Sequence, residues 1–363
     1  MSTLPRPTRA LLGVFDVLFK ASDVKGAKPD QESAAMFVRA LYQVMLHRDP
    51  DEKGLSFYTK ELIRGRSHQS ILEEFRASDE FKAQAAAKLF VPPGHYYSPI
   101  VNTREADVYL LAREALPVPH ELPGIALDQV RLVEEWQSLL PYLTTAPFPA
   151  SKNPQFRYCF ENPAYSWGDG SILHAMLRKY RPKRLIEVGS GWSSACIFDT
   201  VEQFLSGNCE LTFIEPYPEL LRELLGKASS KVRIFENPVQ EVALTTFDML
   251  EAGDFLFIDS THVLRTGSDV CFELFDVLPR LAPGVLVHIH DMFWPFEYPR
   301  QWVVNENRSW NEIYAVRSFL SNNDAWDIVM FNHYLALFQL PMIEATYPTF
   351  LRNSGGALWL QRR

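Results

Sequence analysis

A chain of 363 residues, 47% hydrophobic and 13% aromatic, is long enough for two cores and lacks the composition of a disordered protein. Its formal net charge of −8, with no clustered Lys/Arg stretch, argues against a nucleic-acid partner, because neutralising phosphates needs such a cluster. The four cysteines (Cys159, Cys196, Cys209, Cys271) show no C-x-x-C spacing and read as reduced, buried thiols of a cytoplasmic protein. No apolar run is long enough to span a bilayer. Near the N-terminus, Arg6 and Arg9 precede an apolar stretch at residues 10–15 that Asp16 interrupts. No small-residue cleavage pattern follows, so this segment reads as an amphipathic helix and not as a secretory signal.

In chain order, residues 32–87 carry Phe37, Ala40, Leu41, Val44 and Met45, then Leu62, Ile71, Phe75 and Phe81, all at helical spacing. Pro50 breaks the pattern, Asp49 and Asp51 supply caps, Gly54 offers an unusual φ, and Ser67 opens a further helix. Residues 1–88 are therefore expected to form a small all-α domain. Residues 89–155 are expected to be connecting loops and helices, with a helix at 127–140 between proline-rich intervals. In the first of these intervals, Pro92, Pro93 and Pro99 flank His95 and Tyr96. Either that stretch is an interdomain linker, or it is an ordered loop that places His95 and Tyr96 in a pocket.

From residue 156 to 363 the pattern alternates. Helices are expected at 172–180, 219–226 and 271–281, and strands at 185–188, 211–214, 232–235, 255–258 and 285–289. Residues 326–338 read as two closing antiparallel strands. This alternation predicts an α/β fold with a doubly wound, Rossmann-like parallel sheet.

Four strand ends carry the chemistry. The apolar strand at 185–188 runs into Gly189-Ser190-Gly191-Trp192-Ser193-Ser194, a turn that lets a ligand approach main-chain N–H groups. The third glycine of a dinucleotide fingerprint is replaced by Ser194, which favours a smaller adenosyl ligand. Glu187 stands inside that apolar strand and needs a partner. Glu215, at the end of the next strand, suits two ribose hydroxyls. The last two ends supply Asp259 and His262, then His290 and Asp291, which could meet in one cleft as a general base with its partners or as a metal site. His288 alternates away from Ile289 and is expected to be structural.

Two resemblances follow. Leu41-Tyr42, Leu46, Arg48-Asp49-Pro50-Asp51, Gly54-Leu55, Phe57-Tyr58, Leu62, Gly65, Phe75, Ser78 and Glu80-Phe81 resemble a bacterial helical domain of unknown function that is similar to phycobilisome linkers. The pattern departs at His47, where the family usually has Gly, and at Tyr58, where Trp is common. It implies an interaction or assembly module, hence a protein partner or self-association.

The second resemblance is carried by Pro92-Pro93-Gly94-His95-Tyr96-Tyr97, Tyr165-Ser166-Trp167-Gly168-Asp169, the Glu187–Gly191 turn, Ile258-Asp259-Ser260 with His262, and His290-Asp291-Met292-Phe293-Trp294-Pro295. Together these resemble class I S-adenosylmethionine-dependent methyltransferases, in a bacterial subfamily associated with sugar or polysaccharide modification. The resemblance implies that Glu187, Gly189, Gly191 and Ser193 form the methionine-side turn, that Glu215 holds the ribose, and that Asp259, Tyr165 and Asp169 complete the donor site. His95, Tyr96, Trp294 and Tyr298 would face the acceptor, with Trp294, Phe296 and Tyr298 as aromatic walls for a sugar. Related enzymes hold magnesium on an aspartate after the fourth strand and an Asp-Asp or Asp-Asn pair after the fifth. Here only Asp259 and Asp291 remain for that role, and metal-free catalysis through His262 or His290 stands as the alternative. A non-catalytic scaffold and an NAD-dependent sugar oxidoreductase are the rival readings.

Overall fold

A computed structural model of the chain describes residues 30–46 and 48–363. The amphipathic helix expected at residues 10–15 and the departure at His47 lie outside them. The chain divides into two compact units, Met1–Ile100 and Val101–Arg363.

In the first unit, α1 (Gln31–Leu46), α2 (Glu52–Arg64), α3 (His68–Ala77) and α4 (Asp79–Lys88) surround Phe37, Leu41, Leu62, Ile71 and Phe75. Side-chain caps set the starts of these helices, because they satisfy N–H groups that have no intrahelical partner. Asp51 accepts from the Gly54 amide at 2.8 Å, Ser67 from Ser70 at 3.1 Å, and Ser78 from Phe81 at 3.2 Å. The expectation of an unusual φ at Gly54 is corrected. This residue lies within α2, and what it provides is room, since a Cβ there would sit 2.2 Å from the Tyr42 hydroxyl.

The second unit begins with α5 (Thr103–Glu114), α6 (Gln129–Leu143) and α7 (Trp167–Tyr180). There follow β1 (Arg184–Val188), α8 (Trp192–Phe204), β2 (Glu210–Ile214), α9 (Glu219–Leu225), β3 (Arg233–Phe235) and β4 (Phe255–Ile258). Next, α10 (Asp269–Phe272) tightens and widens through a π turn (Glu273–Val277) and a 3-10 turn (Leu278–Arg280). The unit closes with β5 (Leu286–Ile289), α11 (Glu312–Leu320), β6 (Trp326–Phe331), α12 (Asn332–Phe338), α13 (Leu340–Thr346) and β7 (Leu358–Arg362).

The seven strands form one sheet in the order β3-β2-β1-β4-β5-β7-β6. β1 to β5 pair in parallel, and β7 runs antiparallel to both β5 and β6. Every residue of β4 and β5 is buried, as expected of strands covered on both faces, which read as continuous apolar runs. Strand order reverses between β1 and β4, and the crevice at their carboxyl ends is where such sheets bind ligands.

The closing strands differ from expectation. Only 326–331 is a strand, residues 332–338 form α12, and the seventh strand lies at 358–362. Tyr334 and Leu335 are fully buried, so their apolar character serves a helix that packs on the core. Only β7 is antiparallel, because a strand inserted between β5 and β6 with opposite sense leaves β6 parallel to the others.

Candidate active site

The turn after β1 is pressed between its neighbours. The Gly189 amide donates to Ile214 O at 3.1 Å. Gly189 has φ +77°, and a Cβ there would lie 1.7 Å from the Asp259 carbonyl oxygen, so no side chain fits. Across the turn the Gly191 amide donates to Ser194 Oγ at 3.0 Å, and that hydroxyl donates in turn to Glu187 Oε2. Glu187 is fully buried, its Oε1 has no partner, and the nearby Ser190 Oγ has none either. Burial, opposed by the nearby Ser193 and Ser194 hydroxyls, pushes the Glu187 carboxyl up to about 8. Glu215 accepts the Ser190 amide at 2.9 Å and the Tyr217 amide at 2.8 Å, which ties the end of β2 to the glycine turn.

At the ends of β4 and β5 the ionisable groups alternate in sign. His262 Nε2 lies 3.5 Å from Asp259 Oδ1 and 3.4 Å from Asp291 Oδ2. His290 Nδ1 lies 3.3 Å from Asp259 Oδ1 and 3.5 Å from Asp291 Oδ1. The array extends in both directions. His262 Nδ1 is 2.8 Å from Glu312 Oε2, and His290 Nε2 is 3.3 Å from Asp169 Oδ2, whose Oδ1 accepts from Asn332 Nδ2 at 3.2 Å. The Tyr165 ring packs against His290 at 5.1 Å between centroids, and its buried hydroxyl has no partner.

Burial disfavours a charged imidazole at His262, but Asp259 and Glu312 outweigh it and push the group up to about 10. Burial likewise opposes charge on His290, while Asp291, Asp259 and Asp169 hold it well above the ordinary histidine value. Asp259 responds in the other sense. Burial would raise it, yet the two imidazoles hold it below the usual carboxylate range.

The support comes from residues whose contacts the sequence does not reveal. Glu312, buried in the first turn of α11, fixes the His262 ring. The His262 carbonyl accepts the Asn311 and Glu312 amides at 3.1 and 3.2 Å, and Asn311 Oδ1 accepts the Leu264 amide at 2.6 Å. The loop after β4 is thus clamped to the start of α11. A second clamp comes from the loop at 353–356. Asn353 O accepts the Gly168 amide at 2.7 Å, Gly356 O accepts the Met292 amide at 2.8 Å, and a Cβ on Gly355 would fall about 2 Å from the Asp169 carboxylate. The loop's Gly-Gly pair is visible in the sequence, but nothing in the sequence points it at Asp169.

His288 is buried against Phe257, with ring centroids 4.0 Å apart, and burial depresses it well below the ordinary value. His95 and Tyr96 lie in the first unit, where their rings pack 4.3 Å apart and Tyr96 is 80% exposed. Trp294, Phe296 and Tyr298, expected as open walls, are buried. The Trp294 indole N–H donates to Pro119 O at 2.6 Å, and Trp294 and Tyr298 edge a cavity of about 400 Å³.

The residues do not fit magnesium. That ion takes oxygen ligands in octahedral array, whereas the oxygens of Asp259 and Asp291 are engaged by imidazole nitrogens. Among the described residues no group of three or more His, Cys, Asp or Glu is placed to hold a metal ion. Nor, among them, is any helix long and apolar enough to cross a membrane.

The seven-stranded doubly wound sheet, with its glycine turn and acidic strand ends, defines the class. Residues 186–292 match a family model described as a methyltransferase domain, and residues 21–85 match one described as a domain of unknown function. The chain is 30% identical over 168 residues to an uncharacterized protein of Archaeoglobus fulgidus, an alignment covering 45% of this chain and 75% of that protein. Two of the solved structures it is similar to are methyltransferases. One is an SAH-bound methyltransferase of Podospora anserina (16% identity, 72% of this chain and 97% of that one, TM-score 0.34). The other is an SAH complex of an O-methyltransferase from Bacillus cereus (13% identity, 71% and 97%, TM-score 0.34). The chain belongs to one family with the archaeal protein, and it carries a methyltransferase domain.

Proposed function

We propose that this protein is a cytoplasmic O-methyltransferase that uses S-adenosylmethionine to methylate a sugar hydroxyl of a glycan or glycosylated metabolite. The observation that carries the reading is the turn at Gly189–Gly191. It sits on the Asp259 carbonyl, flanked by the uncommitted buried oxygen of Glu187 and by the Glu215 carboxylate. When bound, the donor supplies an electrophilic methyl group. Glu215 would hold its ribose hydroxyls, and Glu187 its ammonium group, which needs a buried acceptor of this kind. Tyr165 and Asp169 would border the methionine end.

His262 is the better placed base. Its Nδ1 is held by Glu312, so Nε2, which faces Asp259 and Asp291 at 3.5 and 3.4 Å, is the atom that would take a proton from the acceptor hydroxyl. The surrounding carboxylates keep this ring protonated in the free protein, so methyl transfer is expected to quicken as pH rises. The sugar as acceptor is supported by the motif resemblance across residues 290–299. The first unit would serve docking or self-association. Calorimetric titration with S-adenosylmethionine and S-adenosylhomocysteine tests the reading; folded protein that binds neither would sink it.

A further inference from the structure

The 400 Å³ cavity in the second unit is large enough for a two- or three-ring ligand, and its walls are mainly apolar. Leu110, Pro117, Val118, Trp294, Pro295 and Tyr298 contribute to them, and the proline and aromatic rings offer flat, rigid faces. Leu116 and Val118, both on its lining, are 61% and 41% exposed, so apolar character reaches the mouth. His333 supplies directed polarity. Its Nδ1 accepts the Trp294 amide at 3.0 Å and burial lowers its pKa, so the neutral ring carries its hydrogen on Nε2 as a donor. Trp294 stands three residues from Asp291, which puts the two Cα atoms within about 11 Å.

Arg113, Glu114, Glu297 and Arg300 also line the cavity, with Glu297 engaged by the Tyr314 hydroxyl and Arg300 by Asp107. The remaining walls are apolar and offer few partners to the many hydroxyls of a bare glycan, each of which is costly to bury unpaired. We infer that the acceptor bears an apolar ring system that occupies this cavity, while its reactive hydroxyl lies towards His262; the acceptor is a glycoside with a ring-bearing aglycone and not a free polysaccharide. The inference rests on the acceptor reading above.

The test uses the full chain, with fluorescence titration of methylumbelliferyl glucoside and calorimetry of methyl glucoside as the sugar-only control. The aryl glucoside is expected to bind at least about tenfold more tightly, as burial of one further apolar ring should give. Val118→Trp, which crowds the cavity, and Val118→Asp, which charges it, should each weaken the aryl glucoside about tenfold and leave S-adenosylhomocysteine binding unchanged. Equal affinity for the two glucosides, no binding of either, or unchanged aryl binding in both variants overturns the inference. Aryl binding that depends on Val118 in a protein that ignores both donor compounds would uphold the cavity and overturn the methyltransferase reading.

Discussion

Glu187, next to last in β1, has no surface exposed, and its raised carboxyl makes a prediction about pH. Between the ordinary value of 4.5 and about 8, the folded chain keeps a proton that the unfolded chain has lost. The group's contribution to stability is therefore greatest at low pH, falls as pH rises through that window and levels off above it. Each unit is worth about 1.4 kcal/mol, so the whole effect is on the order of 5 kcal/mol. Glu187→Gln removes the titration. The unfolding-midpoint gap in favour of the variant should widen from pH 5 to pH 8 and then hold; a gap that ignores pH would refute this account. Glu312 makes a second residue-scale prediction. In protein carrying 15N-histidine, His262 should show a hydrogen-bonded Nδ1–H, and Glu312→Gln should shift that signal while leaving His290 in place. The acids Glu187, Glu215 and Asp259 were legible because each breaks or ends an apolar strand. The pairing of Glu312 with His262 was not, since the two lie 50 residues apart and a carboxylate in a helix's first turn resembles any other.

At the scale of elements, the two glycines of the turn after β1 are not equivalent. A methyl group at Gly189 would collide with the backbone after β4, on top of the cost of a positive φ. Gly191 is extended, at φ −176°, and a Cβ there would meet only Leu220 Cδ2 at 3.6 Å. Gly189→Ala should therefore lose the fold or most of its stability. Gly191→Ala should melt within a few degrees of the parent and bind S-adenosylhomocysteine less tightly, because the ligand's approach to the backbone is narrowed. Thermal denaturation followed by calorimetry separates the two cases. The five parallel strands were readable as apolar runs between turn signals. The seventh was not: Leu358-Trp359-Leu360 is brief, follows two glycines, and earns its place only by pairing with β5 and β6. The misreading of 332–338 has a related cause, because a helix buried by tertiary packing shows a dense apolar run with no clear period.

On the scale of the whole molecule, each unit has a core of its own, and the smaller rests on few large side chains. A domain of that size is marginal by surface-to-volume scaling. Scanning calorimetry of the full chain should show two transitions, the smaller at lower temperature; a single transition matching its van't Hoff enthalpy would contradict that independence. The sheet carries a further consequence, one of timing during synthesis. β5 finds its outer neighbour only in β7, where Ile289 pairs with Leu358, 69 positions later. A ribosome adding roughly 5–20 residues per second leaves the edge of β5 open for about 3–14 s. For that interval an apolar, fully formed strand edge lies beside emerging chain, where a neighbouring nascent copy on the same message could pair with it. Slow codons after β5 should lengthen that interval and lower the soluble yield, with no change to any amino acid.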